Sequence, residues 1–89
     1  MKSRTTERFR KAFAELPAHV QRQARSAYLL FQSNSEHPSL RFKRVHASRD
    51  IVSVRVGLGF RALGVQDSDT VIWFWIGAHA DYDRLIGDI

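Results

Sequence analysis

The chain has 89 residues, with 14 Lys and Arg against 9 Asp and Glu, a net charge of +5 and no cysteine. This length supports a single domain over residues 1–89, and the missing cysteines exclude a disulfide framework or a thiolate zinc site. The sequence shows neither a signal peptide nor a membrane span, and its charge favours an acidic partner, so we expect a cytoplasmic protein without membrane contact.

Two short helices are predicted in the N-terminal third of the chain. The first carries apolar residues at i, i+3, i+4 and i+7 spacing, and Thr5 or Thr6 is placed to cap its start. Pro17 breaks this pattern and suits the first turn of a second helix. The apolar face of the second helix comprises Val20, Ala24, Ala27, Tyr28 and Phe31. Together the two segments predict a helical hairpin.

After a polar loop at 33–38, the apolar period changes from helical to strand-like. Strands are predicted near 40–45, 51–56, 60–65 and 71–76, and their short connections imply antiparallel neighbours. The expected fold class is therefore α+β, with an N-terminal helical hairpin packed on a roughly four-stranded antiparallel sheet. Simple alternation in the last strand places Trp73 and Trp75 on one face and Phe74 on the other.

The tight turn at 57–59 brings two arginines together. Glycine at each end of this turn allows positive φ, and pairing of Val56 with Phe60 keeps those two residues on the core face. The same register puts Arg55 and Arg61 side by side on the outer face. Two guanidinium groups at that spacing can hold a phosphate and stabilise the charge of its pentavalent transition state.

Arg55 and Arg61 could instead have a structural role, with one of them ion-paired to Asp67 or Asp81. A similar choice applies to His79 and Tyr82, which follow the last predicted strand. Histidine moves protons near neutral pH, and tyrosine does so where neighbouring cations lower its pKa. Both residue types are also common in purely structural positions.

No metal or cofactor site is predicted. His79, Asp81 and Asp83 alternate in the tail, but carboxylates in such a segment are usually solvated rather than metal-bound. The turn at 57–59 is not followed by a helix, so it does not form a dinucleotide-binding loop.

Basic residues also precede the arginine pair. Between residues 41 and 61 the only acidic residue is Asp50. This segment predicts a nucleic-acid contact surface. The residues expected to contact RNA are Arg41, Lys43, Arg44 and His46.

The sequence resembles the RelE/ParE superfamily, the toxins of bacterial type II toxin–antitoxin operons. The resemblance spans nearly the whole chain, and its most specific part is Arg-Val-Gly-x-Gly-Phe-Arg at 55–61. Trp-Phe-Trp-Ile-Gly at 73–77, leading to His79, adds to it. RelE-type members cleave mRNA in the ribosomal A site by activating the 2′-hydroxyl, without a metal, and leave a cyclic phosphate. The resemblance therefore implies a ribosome-associated mRNA endoribonuclease.

The resemblance also implies roles for single residues. Arg61 matches the central phosphate-binding arginine of the family. Arg55 matches a basic residue that holds the phosphate or activates the nucleophile. His79 falls where ribonuclease members place Arg or His, and Tyr82 lies near their C-terminal Tyr, a candidate general acid. Ser53 stands where a Lys can serve as the general base. Arg41 and Lys43 would be ancillary phosphate contacts.

Two further expectations follow from the resemblance. The family's first strand should be abbreviated or missing at residues 1–3. A cognate antitoxin should bind, drawn to the basic patch and to a sheet surface left bare by the short tail. Two other functions remain open. A ParE-type inhibitor of DNA gyrase would use Arg55 and Arg61 for folding or interface contacts, and a non-catalytic member would only bind RNA or regulate.

Overall fold

The computed structural model describes residues 1–88 and confirms the α+β class. The helices are α1 (Glu7–Ala14), α2 (Ala18–Ser33) and α3 (His79–Asp88), with a 3₁₀ turn at Pro38–Leu40. The strands are β1 (Lys2–Thr5), β2 (Lys43–Arg44), β3 (Ile51–Val56), β4 (Phe60–Asp67) and β5 (Thr70–Ala78). They form one sheet in the order β1-β5-β4-β3-β2, in which only the β1–β5 pair is parallel. Among residues 1–88, no helix is long and apolar enough to cross a bilayer.

The sheet has five strands rather than about four, because β1 adds a complete edge strand. Ser3 anchors this strand by accepting a hydrogen bond on Oγ from Trp73 Nε1 at 3.2 Å and one on its carbonyl from Tyr28 at 3.2 Å. Lys2–Thr5 is polar, so it carries no apolar alternation. Backbone pairing to β5 forms this strand, and such pairing leaves no hydrophobic pattern in the sequence.

The helical hairpin is confirmed, and side chains bond the backbone at both ends of its first helix. Thr6 begins α1 by accepting a hydrogen bond on its hydroxyl from the Phe9 N–H at 3.1 Å. Gln21 of α2 donates through Nε2 to the carbonyls of Phe13 and Ala14 at 3.1 and 3.3 Å. Carbonyls at a helix end lack intrahelical partners, so Gln21 adds to the backbone N–H groups of Glu15 and Leu16 in satisfying the end of α1 and links the two helices.

Two apolar clusters lie on opposite faces of the sheet. The helical hairpin covers one face, where Phe31 and Leu40 pack against Val54 of β3. Helix α3 covers part of the other face, where Tyr82 packs against Ile51 and nearby residues. The tail is thus helical and partly covers the sheet surface that we expected to be bare. Its apolar residues Leu85 and Ile86 face the sheet as one helical stripe.

A β-bulge in β5 changes which tryptophan faces the core. Gly64 pairs with Trp73 and Leu63 pairs with Trp75, so Phe74 is an extra residue between them. Trp73 is 3% exposed and belongs to the cluster under the hairpin, whereas Trp75 and Phe74 pack on the α3 side. The prediction that both tryptophans share a face is therefore wrong, because the extra residue reverses the alternation.

The β3–β4 turn depends on one of its two glycines. Gly57 has φ +59°, and a Cβ there would lie 2.4 Å from Oε1 of Gln23. Gly59 has no positive φ, and a Cβ there would meet nothing within 4 Å. Positive φ is thus required at one end of the turn alone.

We expect Gly57→Ala to lower the free energy of unfolding by about 1–2 kcal/mol, because alanine in the left-handed region clashes with its own carbonyl. Gly59→Ala is the matched control and should leave the stability unchanged or slightly higher. Urea denaturation of both variants measures the difference. Equal midpoints would contradict the assigned turn geometry.

Candidate active site

The arginine pair lies where the predicted register places it. Arg55 and Arg61 are direct cross-strand partners, next to the pair formed by Val56 and Phe60. Strand alternation puts both arginines on the α3 side of the sheet, together with Ser53. The three-residue turn therefore fixes two cations side by side without any longer-range contact.

Both arginines line a hollow of about 170 Å³ at the end of the sheet. The residues around it are Arg41, Arg55, Leu58, Phe60, Arg61 and His79. Arg41 reaches this place because it ends the 3₁₀ turn in the left-handed conformation, with φ 46°. The lining contains three guanidinium groups and an imidazole but no carboxylate, so the hollow is suited to an anion.

The Arg61 guanidinium is the most unusual group in the hollow. Its Cζ lies 5.2 Å from the centroid of the Tyr82 ring, an arrangement in which the aromatic face attracts the cation. Its Nε and Nη1 are buried and have no hydrogen-bond partner among residues 1–88. Asp81 forms its ion pair with Arg84 instead. Burial of two guanidinium nitrogens without such partners is unfavourable, and an anion bound in the hollow would relieve that cost.

Arg55 is held differently. Its Nε donates a hydrogen bond to the carbonyl of Gly57 at 2.9 Å, which fixes the side chain beside the turn. This bond occupies one of the five N–H groups of the guanidinium. The positive φ of Gly57 thus contributes to the site as well as to the turn.

His79 begins α3 and connects the helix to the turn. Its backbone N–H donates to the carbonyl of Gly59 at 2.9 Å. Its Nδ1 lies 3.2 Å from Oδ2 of Asp83, one helical turn further on. The sequence pattern predicts a solvated Asp83, and the signal that points to this pair is the i, i+4 spacing of the two residues in a helix. Among residues 1–88, no group of three His, Cys, Asp or Glu residues is arranged to hold a metal ion.

Tyr82 lies beneath the hollow rather than at its surface. The residue is 5% exposed, and its hydroxyl lies 3.4 Å from Oγ of Ser53, which is fully buried. Its ring contacts the His79 ring edge-on at a centroid distance of 5.6 Å and carries Arg61 on its face. Tyr82 therefore joins the two groups that line the hollow above it.

Strand β2 sends its two basic side chains to opposite sides of the sheet. Lys43 pairs with Ser53 and so lies on the face of the arginine pair. Arg44 pairs with Val52 and lies on the other face, where it forms an ion pair with Asp50. Of these two predicted RNA contacts, the register brings only Lys43 to the face of the hollow.

His46 has a structural role in the connection between β2 and β3. Its Nδ1 accepts hydrogen bonds from the backbone N–H of Ser48 at 3.1 Å and of Arg49 at 3.0 Å. A histidine nitrogen that accepts two backbone bonds stabilises the turn. The structure does not place His46 in the lining of the hollow, unlike Arg41.

The helical hairpin on a five-stranded sheet is the fold of the RelE/ParE superfamily of toxins. The chain belongs to the ParE-like toxin domain family, whose model matches residues 18–84. That range includes α2, the arginine pair and most of α3. No curated protein sequence matches the chain.

Solved structures show the same fold at low sequence identity. A chain of the RelB–RelE antitoxin–toxin complex from Methanococcus jannaschii is 22% identical, with a TM-score of 0.73 over 91% of this chain and 96% of that one. YafQ from E. coli is 9% identical, with a TM-score of 0.72 over the same shares of the two chains. A chain of the E. coli RelBE complex is 14% identical, with a TM-score of 0.64 over 86% and 94%.

Proposed function

We propose that this toxin is a ribosome-associated mRNA endoribonuclease. The observation that carries the proposal is the Arg61 guanidinium, which is partly buried without hydrogen-bond partners on Nε and Nη1 beside Arg55 in a hollow without carboxylates. A scissile phosphate satisfies both the charge and the hydrogen-bonding geometry of such a group. The RelE chains solved with antitoxins share the fold and support assignment to the same class.

The proposed reaction is an intramolecular transfer within the RNA strand. The ribose 2′-oxygen attacks the adjacent phosphorus, the bond from phosphorus to the 5′-oxygen breaks, and a 2′,3′-cyclic phosphate forms. Negative charge builds on the non-bridging oxygens in the transition state. Arg61 and Arg55 stabilise that charge from one side.

His79 is the proposed base that removes the proton from the 2′-hydroxyl. Asp83 Oδ2 lies 3.2 Å from Nδ1, and in this proposal the nearby carboxylate favours the tautomer with the proton on Nδ1 and a free electron pair on Nε2. Other nucleophilic sites use the same arrangement, in which a carboxylate orients the histidine that acts as base. The leaving 5′-oxygen takes its proton from water.

For Tyr82 we propose a positioning role. The resemblance implies a general acid, but the Tyr82 hydroxyl is buried against Ser53 and its ring lies beneath the hollow. The ring supports the Arg61 guanidinium and contacts the His79 ring, so it sets the distance between them. Tyr82→Phe would then retain most of the activity, whereas loss of the ring would not.

We also infer that a cognate antitoxin binds this toxin. Three of the structural relatives are chains of antitoxin–toxin complexes, and this chain carries a net charge of +5. An acidic, partly disordered segment of the antitoxin, which orders on binding, would complement the basic surface of the toxin. The neighbouring gene should encode a small acidic protein that co-purifies with the toxin.

The direct test of the proposed function uses programmed ribosomes and antitoxin-free protein. Cleavage of the mRNA with 2′,3′-cyclic phosphate ends would support the ribonuclease. The chain belongs to a ParE-like family, so a gyrase supercoiling assay is run on the same preparation. Gyrase inhibition without RNA cleavage would replace the proposal by the ParE-type function, and no activity in either assay would favour a non-catalytic member.

We expect Asp83→Asn to lower the rate of mRNA cleavage at least tenfold, because the amide no longer selects the His79 tautomer that accepts a proton. Asp81→Asn is the matched control, since Asp81 lies on the same helix and pairs with Arg84. Single-turnover cleavage on programmed ribosomes measures both. Equal rates for the two variants would show that Asp83 does not orient a catalytic His79.

A further inference from the structure

A second concave surface lies on the other side of the β3–β4 turn. One wall is a stripe along α2, and the other is the turn itself with Arg55, enclosing about 650 Å³. The residues of this groove that matter here are His19, Arg22, Gln23, Ser26, Arg55 and Leu58. The α2 members recur at helical spacing, so they form one continuous wall.

The groove combines apolar side chains, among them Ala27, Leu30 and Leu40, with cationic groups suited to a polyanion. Its lining contains two arginines and a histidine but no acidic side chain, and α2 itself contains no Asp or Glu. Gln23 and Ser26 add uncharged hydrogen-bonding groups, and Leu58 is 88% exposed at the rim. Arginines position a phosphate backbone, while an exposed apolar side chain can contact a base.

The groove is continuous with the hollow. Arg55 and Leu58 line both, so the two concavities meet at the turn. On the α3 side, the hydrogen bond from His79 N–H to the Gly59 carbonyl joins the helix to the turn. An RNA strand continues on both sides of its scissile phosphate, and the groove offers it a cationic path away from the hollow.

We propose that this groove, here called the α2 groove, binds the single-stranded RNA segment adjoining the scissile phosphate. The proposal rests on the proposed function and adds a substrate-positioning site to it. Arg22 is the principal contact, because it is the arginine of the groove that does not also line the hollow. The stripe from His19 to Leu30 is about 16 Å long at 1.5 Å per residue, so it extends well beyond one phosphate.

An acidic peptide is negatively charged like RNA, but Arg55 and Leu58, which line both the groove and the hollow, favour RNA. A strand already held by Arg55 enters the groove without a separate binding event, which lowers the entropic cost of occupying it. A peptide would gain no such advantage. The test therefore includes a peptide probe.

The experiment measures fluorescence anisotropy with two RNAs that carry a 2′-O-methyl group at the nucleotide to be cut. A trinucleotide occupies the hollow alone, and a nonanucleotide reaches the α2 groove. We expect Arg22→Glu to weaken binding of the nonanucleotide about tenfold, to lower its salt dependence by about one phosphate contact, and to leave the trinucleotide unaffected. Arg8→Glu on α1 is the matched control with the same change in charge.

Equal affinities of the Arg22→Glu and Arg8→Glu proteins for the nonanucleotide would overturn the proposal, as would no RNA binding by the wild type. Loss of hexaglutamate binding in Arg22→Glu, with RNA binding intact, would reassign the groove to an acidic peptide. The rate of mRNA cleavage is measured separately, with unmodified mRNA on programmed ribosomes. RNA binding that depends on Arg22 without any cleavage would retain the groove and reject the ribonuclease.

Discussion

Arg61→Ala should lower mRNA cleavage by about 10²–10³-fold while the protein remains folded. Arg61 is the proposed donor to the scissile phosphate, and removal of one preorganised donor to a developing anion has an effect of this size. Arg61→Lys keeps the charge but loses the planar pair of N–H groups, so an intermediate rate is expected. Cleavage on programmed ribosomes, with product ends identified, measures all three proteins.

The same substitution makes a second, independent prediction about stability. Arg61 is the cation whose Nε and Nη1 are buried without partners among residues 1–88, so its removal takes away an unfavourable desolvation along with its contact to Tyr82. The melting temperature of Arg61→Ala should therefore be unchanged or higher, as is common where a site is organised for a ligand. A melting temperature lowered by many degrees would show that Arg61 is a structural residue. Arg49→Ala, an exposed arginine outside the hollow, should change neither property.

Phe31→Ala should lower the free energy of unfolding by about 3–5 kcal/mol. The ring is 1% exposed and packs edge-on against Phe42 at 4.9 Å and Trp73 at 5.3 Å between ring centroids. It therefore joins α2 both to the chain before β2 and to β5. A domain of this size has little stability in reserve, so the variant should be largely unfolded at 37 °C.

The control for this prediction lies on the same helix. Leu29 is 67% exposed, and Leu29→Ala should change the stability by less than about 0.5 kcal/mol. Phe31→Leu retains most of the buried volume and should fall between the two. Thermal melts followed by circular dichroism rank the three variants. A Phe31→Ala protein as stable as Leu29→Ala would contradict the core described above.

Local chemistry in the sequence was sufficient for several parts of this protein. Helical spacing of apolar residues predicted both helices of the hairpin, and Pro17 marked their junction. The glycines around Leu58 predicted the register in which Arg55 faces Arg61, because a tight turn fixes the pairing of the residues beside it. These features depend on neighbours a few residues apart, which periodicity and turn chemistry describe directly.

Other features were decided by contacts between distant parts of the chain. The polar strand β1 forms because β5 offers its edge, and the extra residue Phe74 arises from pairing with β4. Packing of α3 buries Tyr82 under Arg61 and places the local His79–Asp83 pair beside the turn. The sequence by itself determined the class of fold and the arginine pair. The tertiary structure alone determined which groups surround that pair, because burial and desolvation are set by elements far apart in sequence.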